Sequence, residues 1–224
     1  MTYTFDWAPI WANRDLIADG LLMTIALSAL GLCFALVIGL LVGTAGASQS
    51  RSLRICAAAY VEVMRNIPLL VHMYFWYMGL AFLRLPPFVC AVAALTLYSG
   101  AYVAETVRTG IGAVPRGQRL AAQATGLTPA KVLLLVVYPQ ALRIIMPSLA
   151  SISSQLIKDS SLASVITVAE LTYQASAIEG QTFRTFEIYI TISVLYLALV
   201  MLVTWGLMLL PGARDSSTRG FRDA

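Results

Sequence analysis

Long apolar runs broken by short polar stretches set the pattern of this chain. The first run, Gly20 to Ala47, lies between Asp19 and Arg51 and carries no charge. At 1.5 Å per helical residue it is long enough to cross a hydrocarbon core of roughly 30 Å. A second run goes from Ile55 to Leu83, with the charged EVMR near its start and Pro68 inside it, and ends at Arg84, Pro86 and Pro87. Proline removes a backbone donor, so a kinked helix is expected there. The third, Phe88 to Val107, is free of charge until Glu105 and stops at Arg108 and Gly110. The fourth, Ala141 to Val168, is unusual: it contains Pro147, many serines and the neighbours Lys158 and Asp159. The fifth, Ile188 to Leu210, is bounded by Glu187 and Arg214. The pattern predicts an all-α integral membrane bundle of five transmembrane helices forming one domain, residues 20–210. Gly39 and Gly43, four apart, allow close helix approach, which fits ordinary packing within such a bundle.

Composition agrees. Hydrophobic residues make up 59% of the chain and charged residues 12%, and the mean hydropathy is +0.79; a soluble domain is far less apolar. The net charge of +4 calls for no nucleic acid, because the bases cluster beside apolar runs. The stretches 48–54 and 108–143 carry seven bases (Arg51, Arg54, Arg108, Arg116, Arg119, Lys131, Arg143) and no acid. Positive-inside topology places them in the cytoplasm, with the N-terminus outside and the C-terminus inside. Residues 1–19 are then a periplasmic segment and 211–224 a cytoplasmic tail. Trp7, Trp11 and Trp76 fall near outer boundaries, where amphipathic rings are favoured. The N-terminus lacks the basic start and short apolar core of a cleaved signal, so the first span is expected to act as a retained insertion signal. Cys33, Cys56 and Cys90 show no paired spacing, and His72 has no second imidazole or thiolate nearby in sequence; they suggest packing residues and no metal site.

Overlapping the inner loop, 109–140, the stretch RGQRLAAQATGLTPAKVLLLVVYPQALR (116–143) puts four bases and no acid into an otherwise apolar chain. Gly117 to Thr125 is rich in helix formers, and Gly126 suits the left-handed residue that ends a helix. Thr128 is a suitable N-cap and Pro129 a suitable first-turn residue for a second helix. Pro139 is expected to interrupt that helix. The run Val132 to Val137 is too short to span and is expected to lie against the inner membrane face or other helices. On physical grounds alone this stretch is either a surface that plugs into a partner or a solvated loop obeying the charge rule.

The two alanines Ala121 and Ala122, Gly126 four positions on, and Pro139 thirteen beyond that, with Val136 and Tyr138 in apolar positions, resemble the cytoplasmic loop motif of type I ABC importer permeases. EVMRNIPLLVHMYFWY from Glu62, AETVRTGIGAVPRGQ from Ala104, PQALRIIMPSL from Pro139, IKDSSLASVI from Ile157 and AELTYQAS from Ala169 extend the resemblance to the polar amino acid subfamily. FDWAPIW and QTFRTFEIY are similar to permeases for glutamate or aspartate. The resemblance implies a MetI-like bundle in a bacterial inner membrane, paired with an identical or paralogous permease on two ATP-binding cassette subunits, with a periplasmic binding protein delivering an amino acid. It assigns coupling to the ATPase to Gly117, Gln118, Arg119, Ala121, Ala122, Gln123, Gly126 and Pro139. Leu120 stands where the motif commonly has glutamate. The chain has no GxxxxGK[ST] phosphate loop, so ATP and Mg are expected on the partner and no cofactor on this chain.

Polar groups at membrane depth are costly and mark either a solute path or pairs between helices that fix the bundle. Arg65, Gln155, Lys158, Asp159, Ser160 and Ser161 are the pore candidates; Ser151, Ser153 and Ser154 belong to the same polar set. Lys158 and Asp159 point in different directions on a helix, so each is expected to have its own partner. Glu62 with Arg65, and Glu105 with Arg108, are spaced to pair on one face. The segment from Glu170 to Phe186 is expected to be an outer loop presenting acids to the binding protein. An alternative function is an ion-gradient-driven secondary transporter of a small polar solute, which would show inverted repeats; none is visible. With one histidine and no nucleophile–base pair, an intramembrane enzyme is disfavoured.

Overall fold

The computed structural model describes residues 3–209, and every regular element among them is helical. A short α1 (Ala8–Ala12) leads into α2 (Arg14–Gly46). Then come α3 (Arg51–Asn66), α4 (Leu69–Tyr74) and α5 (Pro87–Ala113). After α5 the chain makes α6 (Arg116–Ala124) and α7 (Pro129–Val132), which runs on through a π-helical turn into α8 (Tyr138–Asp159). A 3₁₀ segment, Ser160–Ile166, precedes α9 (Leu171–Thr182) and α10 (Thr185–Met208).

Among the described residues, four helical stretches are long and apolar enough to cross a membrane: Arg14–Gly46, Pro87–Ala113, Pro129–Ile166 and Thr185–Met208. The central one is α5, whose most apolar window is 56% buried against 17% for α10. Small residues let it sit so deep. A Cβ on Gly43 would stand 2.5 Å from the Ala104 carbonyl oxygen, and one on Gly39 would lie 3.0 Å from the Gly100 oxygen and overlap the Val103 side chain. The glycine pair therefore serves packing of α2 on α5 within the chain, as its spacing suggested.

The expected second span is not one kinked helix. Pro68 lacks an N–H, and its ring would clash with the carbonyl four residues back; α3 therefore stops at Asn66, and Ile67 and Pro68 are extended. The run from Ile55 to Leu83 becomes α3, α4, a π-helical turn Phe75–Gly79 and a 3₁₀ turn Ala81–Leu83. Pro139, in contrast, does not interrupt its helix. It sits in the first turn of α8, directly after the π-helical turn Leu133–Val137, where the widened hydrogen-bond ring absorbs the missing donor. Val132 and Val137 are thus buried residues of the long helix and not of a separate surface segment. The last span's final residue, Leu210, and the tail 211–224 lie outside the described residues.

The segment expected as an acid-presenting outer loop is mostly α9, packed on α2. Thr24 Oγ1 accepts from the Leu171 amide at 3.1 Å. Glu170 and Glu187 are wholly buried, so neither is presented. Glu170 caps α9, accepting from the amides of Thr172 (3.0 Å) and Tyr173 (2.8 Å) and from the Tyr196 hydroxyl (2.7 Å). Burial pushes its carboxyl above the usual range, although these donors pull the other way. Glu187 receives the Tyr3 hydroxyl and the Asp6 amide (2.8 Å), tying the start of the chain to α10. Glu170→Ala strands two amides and a hydroxyl and is expected to cost about 2 kcal/mol, read as a lower Tm of the detergent-solubilised protein, with Glu170→Gln losing less.

Candidate functional site

Two regions gather the residues singled out in the sequence. The first is α6 and its return. Pro115 opens the helix and Gly126, at φ +84°, closes it, its amide donating to the Gln123 carbonyl at 2.9 Å. Thr128 then caps α7, accepting from the Lys131 amide at 3.5 Å. The helix has two unlike faces. Ala122 is buried against the cluster of Val107, Ile111, Val114, Val132 and Val137, whereas Gly117, Gln118, Leu120, Ala121 and Gln123 are exposed. A Cβ on Gly117 or Gly126 would meet nothing within 4 Å. Arg119 turns inward: its guanidinium donates to the carbonyl of Ile111, one of the orphan acceptors in the last turn of α5. Ala122 and Arg119 therefore hold α6 on the bundle, and the exposed glycines, glutamines and Ala121 form its free face. Pro139, on α8, is exposed as well. The Ile111 partner was not legible in the sequence, because a carbonyl carries no residue-type signal.

The second region is a cavity of about 400 Å3 between α5 and α8, lined by Tyr98, Ser99, Tyr102, Ser151, Ile152, Gln155 and Asp159. Gln155 Nε2 donates to Asp159 Oδ1 at 2.8 Å, one helical turn apart. The Tyr98 and Tyr102 hydroxyls are 3.2 Å apart. A carboxylate, a carboxamide and hydroxyls together complement an ammonium and a polar neutral group, and no base lines the space. Of the pore candidates, the structure brings only Gln155 and Asp159 to this cavity. Lys158 is exposed and forms no ion pair among the described residues, so the two neighbours do not each gain a charged partner. Ser160 is fully buried, donating to the Ile157 carbonyl at 2.7 Å, and Ser161 donates to that of Lys158. Ser153 and Ser154 likewise bond to their own helix, and Ser154 also meets Thr204 of α10 at 2.7 Å.

Arg65 does not pair with Glu62, whose carboxylate takes the Asn66 amide group at 3.1 Å. Its guanidinium instead lies 4.9 Å from the centre of the Tyr102 ring. Glu105 and Arg108 do pair, through two bonds of 2.6 and 2.9 Å. These four charges and Arg54 line a second cavity of about 320 Å3 between α2, α3 and α5. The described residues hold no group of three or more His, Cys, Asp or Glu placed to bind a metal. Tyr98 and Tyr102 escaped the sequence reading because aromatics in an apolar run look like packing.

Over residues 35–211 the sequence matches the family described as binding-protein-dependent transport system inner membrane component. The chain belongs to this family. The permease is 39% identical over 205 residues to the glutamine transport system permease protein GlnP of Escherichia coli (strain K12), covering 90% of this chain and 94% of that protein. It is 35% identical over 199 residues to the probable glutamine ABC transporter permease protein GlnM of Bacillus subtilis (strain 168), covering 88% and 92%. It superposes with a TM-score of 0.85 on a chain from the crystal structure of an amino acid ABC transporter with histidines, 35% identical, covering 95% of this chain and 100% of that one. The protein is a permease subunit of an ABC amino acid importer and not an enzyme; a partner ATPase hydrolyses the ATP. An ion-gradient-driven transporter is therefore set aside.

Proposed function

We propose that this permease forms half of the pore of an inner-membrane importer for a polar amino acid, and that the cavity between α5 and α8 meets the solute. Two permease chains, identical or paralogous, would stand on two ATPase subunits holding ATP and Mg, with a periplasmic binding protein at the opposite face. The free face of α6 (Gly117, Gln118, Ala121, Gln123, Gly126) would contact the ATPase, with Arg119 and Ala122 anchoring it. The loop 109–140 then faces the cytoplasm, residues 1–19 lie outside and 211–224 inside, as the charge asymmetry suggested.

The observation that carries the reading is the lining of the cavity: Asp159 bonded to Gln155, facing two tyrosines, with no base. A carboxylate there attracts the α-ammonium common to all amino acids and repels an acidic side chain. This favours a neutral, amide-bearing solute over the glutamate or aspartate expected from the sequence, and the names of the two glutamine permease relatives point the same way.

The test is ATP-driven uptake of labelled glutamine and glutamate by vesicles containing permease, ATPase and binding protein. Glutamine uptake is expected to exceed glutamate uptake. Asp159→Asn removes the charge without changing shape and should lower glutamine uptake about tenfold or more, the loss of one charge-assisted bond. Lys158→Ala, off the cavity, should leave it near wild type. Undiminished uptake by Asp159→Asn combined with Gln155→Ala would sink the assignment of the cavity.

A further inference from the structure

The break in the second span backs the tyrosine wall of the cavity between α5 and α8 at two points, one on each side of the break. On the α3 side, Arg65 lies on the Tyr102 ring. On the α4 side, His72 is buried, with its ring 6.0 Å from that of Tyr98. The two tyrosine rings lie 5.2 Å apart, tilted at 57°, and share a hydroxyl contact, and both line the cavity opposite Gln155 and Asp159. His72 is also fixed by the break itself. Pro68 has no N–H to offer the Met64 carbonyl four residues earlier. That acceptor is taken at 3.2 Å by His72 Nε2, which must carry the proton because a carbonyl only accepts. Asn66 Nδ2 also donates to the Glu62 carbonyl at 2.7 Å, an acceptor that Pro68 does not leave open. A proline-made defect is thus closed by a side chain, and the imidazole that closes it is the one packed against the tyrosine wall.

We propose that Arg65 and His72 are positioning residues that hold the Tyr98–Tyr102 wall against the solute and thereby set which neutral amino acid the cavity accepts. This rests on the cavity being the solute site. Neither residue lines the cavity, so each acts through a tyrosine: Arg65 by the attraction of a cation for a ring face, His72 by packing that its bond to Met64 holds in register. Losing either lets the wall move away from Asp159, which loosens the fit without removing the groups that bind the ammonium.

The experiment uses the complete importer, permease with ATPase and binding protein, and measures labelled glutamine binding to the solubilised complex, competition by asparagine, and ATPase rate. Arg65→Met is expected to weaken glutamine binding about tenfold and to narrow its advantage over asparagine, with the maximal ATPase rate kept. Arg65 is exposed, so this variant is not a core disruption. In Arg65→Met with Tyr102→Leu, the loss should be no greater than for Tyr102→Leu alone, because the two share one pathway. His72→Phe keeps a ring beside Tyr98 but strands the Met64 carbonyl, and should shift selectivity in the same direction, whereas His72→Gln, which restores a donor, should recover part of it. Additive losses in the double variant, or a drop in folded protein and ATPase rate at unchanged selectivity, overturn the proposal. Asp159→Asn separates the two ideas. If it binds glutamine normally, the cavity reading has failed; if it loses binding while Arg65→Met and His72→Phe bind and discriminate as wild type, only the positioning role has failed.

Discussion

Gly126→Leu is expected to leave the permease folded and inserted while reducing ATP-driven uptake to background. At φ +84° a side chain is strained, but a single left-handed residue costs only about 1–2 kcal/mol. Among the described residues, no atom beyond its chain neighbours lies within 4 Å of the added carbon. Any large effect must therefore come from outside the chain. The turn closes α6 beside its exposed face, where the ATPase is proposed to dock, so a leucine there would project into the contact. Membrane abundance, ATPase copurification and vesicle uptake read the three consequences separately. Normal uptake at normal abundance would show that the open side of Gly126 faces no partner.

The opposite outcome is expected at Gly39. Gly39→Leu should fail to accumulate as folded protein, because the new side chain would occupy the space of Val103 and press on the Gly100 carbonyl of α5. Overpacking of a tight interface costs about 3 kcal/mol or more, and here the obstacle is partly backbone, which rotamer changes cannot relieve. Levels of membrane-embedded protein and the Tm of any recovered fraction measure this. Gly117→Leu, with open space around it, is the matched control and should fold normally. A Gly39→Leu protein as stable as wild type would mean that α2 and α5 do not meet as closely as described.

These two glycines also show what the sequence could and could not disclose. Both were legible as special, Gly126 from its place after a run of helix formers and Gly39 from its spacing to Gly43. That one faces outward and the other is locked inside follows only from the arrangement of helices. Four spans and the α6 return were legible because length, apolarity and caps are local signals. The breakdown of the second span was only half legible. Pro68 announced a disturbance, but whether a helix bends or stops depends on what satisfies the freed carbonyl, here His72. Pro139 misled for the complementary reason, since a π-helical turn accommodates a proline without leaving any mark in the sequence. In the cavity, Gln155 and Asp159 stood out as intramembrane polar groups, while Lys158, one residue away, faces elsewhere. Charge is visible in a sequence; the direction in which it points is settled by packing. Glu170 was misplaced on the same account, because burial with three donors leaves no compositional trace.

The first long helix is bonded at two places, about three turns inside its start and in its last turn. Thr24 accepts from the Leu171 amide of α9 at 3.1 Å, and Thr44 meets the Tyr138 hydroxyl at the start of α8 at 2.5 Å. These threonines are separated by about 30 Å of helix, the thickness of the hydrocarbon layer. A helix pinned in this way cannot change its own tilt to suit a thinner or thicker bilayer; the whole bundle must lean, or the lipid must deform around it. Lipid acyl-chain length thereby becomes a control parameter for this permease, able to load the rod that joins its two faces without touching a residue.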